Sequence, residues 1–214
     1  MTNYIETFGF VVALALVPFV LVLMTSFTRI SIVLTFLRQA LSTSVPSTQI
    51  IVGLSLILTG YIMHPVIAEI SDEVKVVYQE KKTEDVEEKS MQIAEKAWPI
   101  LKNFMLSHTR EKDLELLLEM SHIQLETLSV DLKEVPWYCI IPAFVLSELR
   151  CAFFLGFLIF LPFLVIDMIV TSLLMSMGMI MLPPVLISFP FKLLLFVVVD
   201  GWRLIVQQVV HSYN

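Results

Sequence analysis

Two long apolar blocks, residues 8–68 and 135–210, flank one polar stretch, and the spacing of apolar positions changes at both borders. Residues 8–27 supply the roughly 20 apolar positions that a bilayer span requires. Pro18 and M-T-S-F-T at 24–28 interrupt this block, and Arg29 follows. Residues 1–7 hold Glu6 and no base, and the apolar run from Phe8 is long, so the first segment is expected to be retained rather than cleaved as a signal. Arg29 and Arg38 bracket a second short apolar stretch. A polar connector at 42–49 then leads into a second predicted span at 50–68, where Pro65 marks a kink or an exit.

Between 69 and 134 the pattern becomes that of water-exposed helices. Met91, Ala94, Trp98, Leu101 and Met105 recur at steps of three and four, which predicts one apolar stripe broken or kinked at Pro99. Thr109, followed by Glu111 and Asp113, reads as an N-cap with acids in the first turn of a helix through Leu114, Leu117 and Leu118. This insert is too short to bury much core alone and is expected to pack against a neighbour. In the second apolar block Trp137 and Tyr138 suit a membrane interface. Pro142, Glu148, Arg150, Pro162, Asp167, Pro183, Pro184, Pro190, Lys192 and Asp200 then predict short, interrupted segments. In lipid such segments need protein or a water-filled cavity beside them, so much of the block is expected to be covered by other subunits. Small residues four apart, Ala152 and Gly156 or Ser172 and Ser176, would let helices approach closely.

Composition sharpens this picture. The 214-residue chain is 57% hydrophobic and only 16% charged, which excludes an ordinary soluble domain. Of its 34 charged residues, 25 lie in the insert, 16 of them acids. That acidic balance argues against nucleic acid or anionic lipid as the insert's partner. Arg29 and Arg38 place their connector in the cytoplasm by the positive-inside rule, with the insert outside. The fold class expected is all-α, a membrane-protein-like set of helical hairpins with kinked, interrupted apolar helices. The predicted division is 1–68, 69–134 and 135–214.

Few residues carry candidate chemistry. Asp167 is the one charge between Arg150 and Lys192. An intramembrane acid is either an ion relay or a structural partner to a buried base or a broken helix end. Asp200 has Arg203 one turn on as its expected partner. Glu148 and Arg150, two apart, cannot face each other on a helix, and each needs a partner elsewhere, most economically on another subunit. Cys139 and Cys151 read as small buried hydrophobes. The four histidines are scattered without other ligands at metal spacing, and no nucleotide-binding or hydrolytic motif occurs, so no metal, cofactor or enzymatic activity is expected. M-S-M-G-M-I-M-L-P-P at 175–184 sets four methionines at alternate positions before a double proline. It reads either as a deformable apolar collar or as ordinary packing of a hairpin.

Six motifs carry a resemblance that spans both apolar blocks: M-T-S-F-T-R-I-S-I-V-L (24–34), L-R-Q-A-L (37–41), I-P-A-F-V-L-S-E-L-R (141–150), G-F-L-I-F-L-P-F-L-V-I-D (156–167), the methionine segment, and P-F-K-L-L-L-F-V-V-V-D-G-W (190–202). Together they resemble the FliP/SctR family, the core export gate of bacterial type III secretion in flagella and injectisomes. The resemblance implies a homo-oligomer, pentameric in that family, wound with partner gate proteins of the Q/S and R/T types. It also implies contact with the large export-apparatus proteins, passage of unfolded polypeptides and a place in the bacterial inner membrane with the assembled gate largely at its periplasmic side. Nucleic acid is not among the implied partners. The family's methionine gasket maps to Met179, Ile180 and Met181, where the β-branched Ile180 is stiffer than the usual methionine. Glu148, Arg150, Asp167, Lys192 and Asp200 form the expected inter-subunit or buried polar set. A self-contained secondary transporter using Asp167 as its ion site is the alternative, although no internal repeat supports it.

Overall fold

The computed structural model describes residues 22–80, 86–122, 135–179 and 181–213. The first predicted span lies almost wholly outside these residues, as does Ile180. Among the described residues there are seven helices and no strand: α1 (Phe27–Ala40), α2 (Thr48–Glu80), α3 (Val86–His108), α4 (Glu111–Met120), α5 (Trp137–Ser176), α6 (Pro184–Val198) and α7 (Gly201–His211). Two of them, α2 and α5, are long and apolar enough to cross a membrane, and α6 with α7 forms a third candidate bent by 65°. The fold is all-α and membrane-protein-like.

The expectation of short pieces is corrected in the second apolar block. Residues 137–176 form one continuous helix of 40 residues that passes through Pro142, Glu148, Arg150, Pro162 and Asp167. Pro65 and Pro99 likewise sit inside α2 and α3 rather than ending them. A proline removes one intrahelical bond and crowds the preceding turn, a cost that packing along a long helix offsets.

The chain divides into two compact units by its contacts. Among the described residues one comprises those up to Thr28 together with Thr59–Glu148, and the other comprises Arg29–Leu58 and Leu149–Asn214. This division follows tertiary contacts and cuts through α2 and α5, whereas composition marks where polarity changes.

In the first unit the insert is tied to the start of α5. Phe104 meets Phe144 edge to face at 6.0 Å, and Met105 and Leu118 are buried. The predicted stripe holds at this end of α3, while Ala94 is exposed. Lys102 is buried and donates through Nζ to the Val135 carbonyl at 2.8 Å. Burial pushes its pKa below the ordinary lysine value. The N-cap of α4 is Arg110, not Thr109, whose hydroxyl donates back to the Met105 carbonyl at 2.7 Å and so belongs to the end of α3. Ser147 Oγ accepts from the Arg110 N–H and donates to Asp113 Oδ2, fastening the first turn of α4. Neither Cys139, buried here, nor Cys151, half-buried in the second unit, is in a disulfide.

The second unit is built around α1. Ile30, Val33, Leu34, Leu37 and Ala40 are buried at steps of three and four, the apolar stripe of one helix face. Phe36 lies over Gly156 of α5 and meets Phe153 edge to face at 5.3 Å. Arg29, at the start of α1, donates to the Ser212 carbonyl at 2.8 Å and the Ser212 hydroxyl at 2.9 Å, with its guanidinium 3.8 Å from the Tyr213 ring centroid. A cation at the C-terminal end of α7 is favoured by the helix dipole. At the bend Asp200 adopts left-handed backbone, φ 53°, and Gly201 sits directly against the Phe196 ring.

A Cβ at position 156 would stand 2.5 Å from the Phe36 ring and 3.0 Å from its Cβ, so the α1 backbone would have to give way. Gly156→Ala is therefore expected to destabilise the folded chain by about 1–3 kcal/mol despite alanine's better helix propensity. Thermal unfolding in mild detergent measures this, and an unchanged midpoint would refute the packing role.

Candidate functional site

Helices α5 and α6 form a hairpin whose tip is the methionine turn and whose shaft carries a charged cluster. At the tip, the Met179 N–H bonds to the Leu174 carbonyl at 2.9 Å and the Gly178 N–H to the Met175 carbonyl at 3.1 Å. This pair of bonds is a Schellman cap with Gly178 at the left-handed position, φ 74°, where glycine has no Cβ to clash. Five residues on, Pro183 caps α6 and Pro184 opens it at the first helical position, where its missing N–H leaves no bond unmade. The turn is thus fixed at both ends by backbone chemistry.

Its described methionines are largely exposed within the chain. Met175 and Met177 are exposed, Met179 is 43% exposed and Met181 98%. Below them α5 and α6 leave an apolar groove of about 410 Å³ lined by residues including Ile169, Leu173, Met177, Ile187 and Phe191. The reading that these methionines merely pack a hairpin does not describe Met181, which touches almost nothing in this chain.

The charged cluster lies further down the shaft. Lys192 of α6 is 1% exposed, and its Nζ stands 2.7 Å from Asp167 Oδ2 of α5 and donates to Ser42 Oγ at 2.8 Å. Ser188, one turn before Lys192, donates to Asp167 Oδ1 at 2.5 Å. Asp167 and Lys192 therefore satisfy each other within the chain. A buried ammonium requires such an arrangement, because an unpaired one is heavily penalised by desolvation.

Ser42 shows what this cluster demands of the backbone. It follows α1 in a second Schellman cap, with the Ser42 N–H on the Gln39 carbonyl and the Thr43 N–H on the Arg38 carbonyl, and its φ is 55°. Left-handed backbone costs a non-glycine residue about 1–2 kcal/mol. The residue here is a serine whose hydroxyl receives the buried lysine.

The other expected polar residues are placed separately. Glu148 is fully buried and is held by contacts inside the chain, whereas Arg150, two positions on, is exposed. Asp200 does not pair with Arg203 among the described residues. Its left-handed backbone starts a new helix, so the one-turn spacing rule does not apply across it. Ser42, Ser188 and Gly178 were absent from the sequence reading of the site. Gly178 carried a signal, a glycine shortly before prolines at a helix end. The two serines carried none, since their roles depend on contacts with residues 150 and 21 positions away.

The chain is similar in sequence to known proteins. A model of the FliP family matches residues 10–209. The chain is 48% identical over 197 residues to the flagellar biosynthetic protein FliP of Bacillus subtilis, covering 92% of this chain and 86% of that protein. It is 44% identical to the protein of the same name from Aquifex aeolicus, covering all of this chain and 87% of the relative. To that of Borreliella burgdorferi it is 47% identical over 94% of this chain and 77% of the relative.

Two predictions follow from the cluster. Asp167→Asn and Lys192→Met should each destabilise the chain by about 2–4 kcal/mol, below the extreme for fully buried pairs because a third of the Asp167 side chain is exposed. The double variant should recover much of the loss, because the remaining groups are neutral. A thermal double-mutant cycle measures the coupling, and strict additivity would show that the pair is not energetically linked. Ser42→Gly removes the backbone strain yet leaves Lys192 one acceptor short. It is expected to be neutral or destabilising, where relief of left-handed strain alone would stabilise; a raised unfolding midpoint would contradict the role given to the hydroxyl.

Proposed function

The chain belongs to the FliP family, and on that premise we propose that it is a subunit of the flagellar type III export gate in the bacterial inner membrane. In this reading several copies, five by family resemblance, assemble with Q/S-type and R/T-type gate proteins beside the large export-apparatus proteins. Unfolded polypeptides pass through the middle. The relatives named above, all flagellar biosynthetic proteins, favour the flagellar branch over the injectisome.

One observation carries the proposal at the level of residues: a turn with rigid caps presents methionines that find no core of their own. A passage for unfolded chains must close against small ions between substrates. A ring of long, unbranched, polarizable side chains can exclude water and still yield to a passing polypeptide. The caps matter as much as the side chains, since a seal needs compliant side chains on a backbone that stays in place. Met179 and Met181, with Ile180 between them, are the proposed gasket. The large apolar surface left bare along α5, including Phe153, Phe154, Phe157, Met168 and Leu173, supports burial in an assembly.

The cluster at Asp167 supports a structural role over the transporter alternative. An ion-coupling carboxylate must release its partner during the cycle, whereas Asp167 takes a lysine and a serine from the adjacent helix within its own hairpin.

Met179→Ala with Met181→Ala shortens the seal without adding a polar group or disturbing the caps. The variant is expected to assemble with its partners and to conduct ions when the complex is reconstituted in bilayers. Ile180→Met is expected to be tolerated. Normal assembly with conductance no greater than that of the unaltered complex would overturn the gasket.

A further inference from the structure

The connector between α1 and α2 forms an open cup of about 620 Å³ lined by Arg38, two glutamines and five hydroxyl side chains from Ser42 to Thr48, with no carboxylate. Its hydroxyls are not equivalent to free ones. Ser42 Oγ accepts from the buried ammonium of Lys192, Thr48 Oγ1 accepts from Arg38 Nη1 at 2.9 Å, and Thr43 Oγ1 accepts from the Val45 N–H at 3.1 Å. A hydroxyl has one proton to donate, and in these three the protein already occupies an acceptor position. Each is left with its O–H to give, and in two of them a cation polarises that O–H further. Arg38 uses one of its five N–H groups on Thr48 and has the rest available. The cup therefore offers several donors beside one uncompensated positive charge, since Asp167 neutralises Lys192 beneath it.

We propose that this cup binds the phosphodiester of an anionic phospholipid. A phosphodiester carries one negative charge and only acceptor oxygens toward the protein, and the planar guanidinium of Arg38 matches it by charge and geometry. Lipid is favoured over a soluble anion by position. The apolar run of α2 begins at Thr48, so the cup stands at the end of a candidate span, at headgroup depth. Val45 at the rim is 69% exposed, and Ile50 and Ile57, seven residues apart on α2, are 58% and 72% exposed, an apolar track for the acyl chains. The inference rests on α2 as a span and is independent of the export reading.

The test uses the purified full chain in mild detergent, equilibrated with phosphatidylglycerol or phosphatidylcholine, with retained lipid counted by native mass spectrometry. The chain has a net charge of −6, so general electrostatics opposes the anionic lipid and a preference for it reports a local site. Phosphatidylglycerol is expected to be retained about fivefold better than phosphatidylcholine, the preference one interfacial arginine supplies. Arg38→Gln should abolish it. Ser44→Ala with Ser47→Ala leaves the Arg38 to Thr48 bond intact, and it should weaken retention even if the arginine variant folds poorly. Equal retention of phosphatidylglycerol by the unaltered chain and by folded forms of both variants would overturn the proposal. Protection of the chain from unfolding by millimolar inorganic phosphate as strong as that by the lipid would overturn the lipid as the source.

Discussion

A buried ammonium orders the α5–α6 hairpin and the exit of α1. Lys192 stands midway along an apolar helix at 1% exposure, and its charge is met by oxygens from α5 and from the end of α1. The two helical partners stand at nearly matched distances from the turn. Asp167 lies nine residues before Ser176 and Lys192 eight after Pro184, each about 12–14 Å along its helix. Sliding one helix by a single turn would part them by over 5 Å, so the pair fixes the register of the hairpin and hence the level at which the methionines stand.

The two left-handed caps show how differently the fold uses one backbone conformation. At Gly178 the conformation costs little, and the side chain that matters belongs to the neighbours; the glycine serves only to stop α5 and turn the chain. At Ser42 the same geometry is held by a residue that resists it, because a hydroxyl is required there. Backbone strain at Ser42 thus marks the place where a charge in another helix sets the identity of a loop residue.

Legibility in the sequence followed the range of the interactions concerned. The helical class and the apolar helix α2 were readable because hydropathy and period are local properties, whereas the unbroken length of α5 was not. The stripe of α1 is of the same kind. Prolines at 142, 162 and 190 misled: they lie inside helices, since each perturbs a single turn while long-range packing decides whether the helix continues. Asp167 and Lys192 both stood out as charges in apolar runs. Their pairing joins residues 25 positions apart on different helices, and spacing along a chain does not encode that. Thr109 and Asp200 failed for a subtler reason. Thr109 was given to the start of a helix and Asp200 was given Arg203 as partner by proximity, whereas the direction of one hydroxyl and the sign of one φ angle decide otherwise.

The bend at Asp200 also sets how far the last segment reaches. As one straight helix, the 28 residues from Pro184 to His211 would measure about 42 Å. With α7 turned by 65°, its 11 residues advance only about 7 Å along the axis of α6, which itself contributes about 22 Å. The pair therefore extends close to 30 Å along that axis, the thickness of a hydrocarbon layer, and turns its surplus sideways by about 15 Å. One left-handed aspartate thereby shortens the reach of an otherwise over-long apolar segment by about a third.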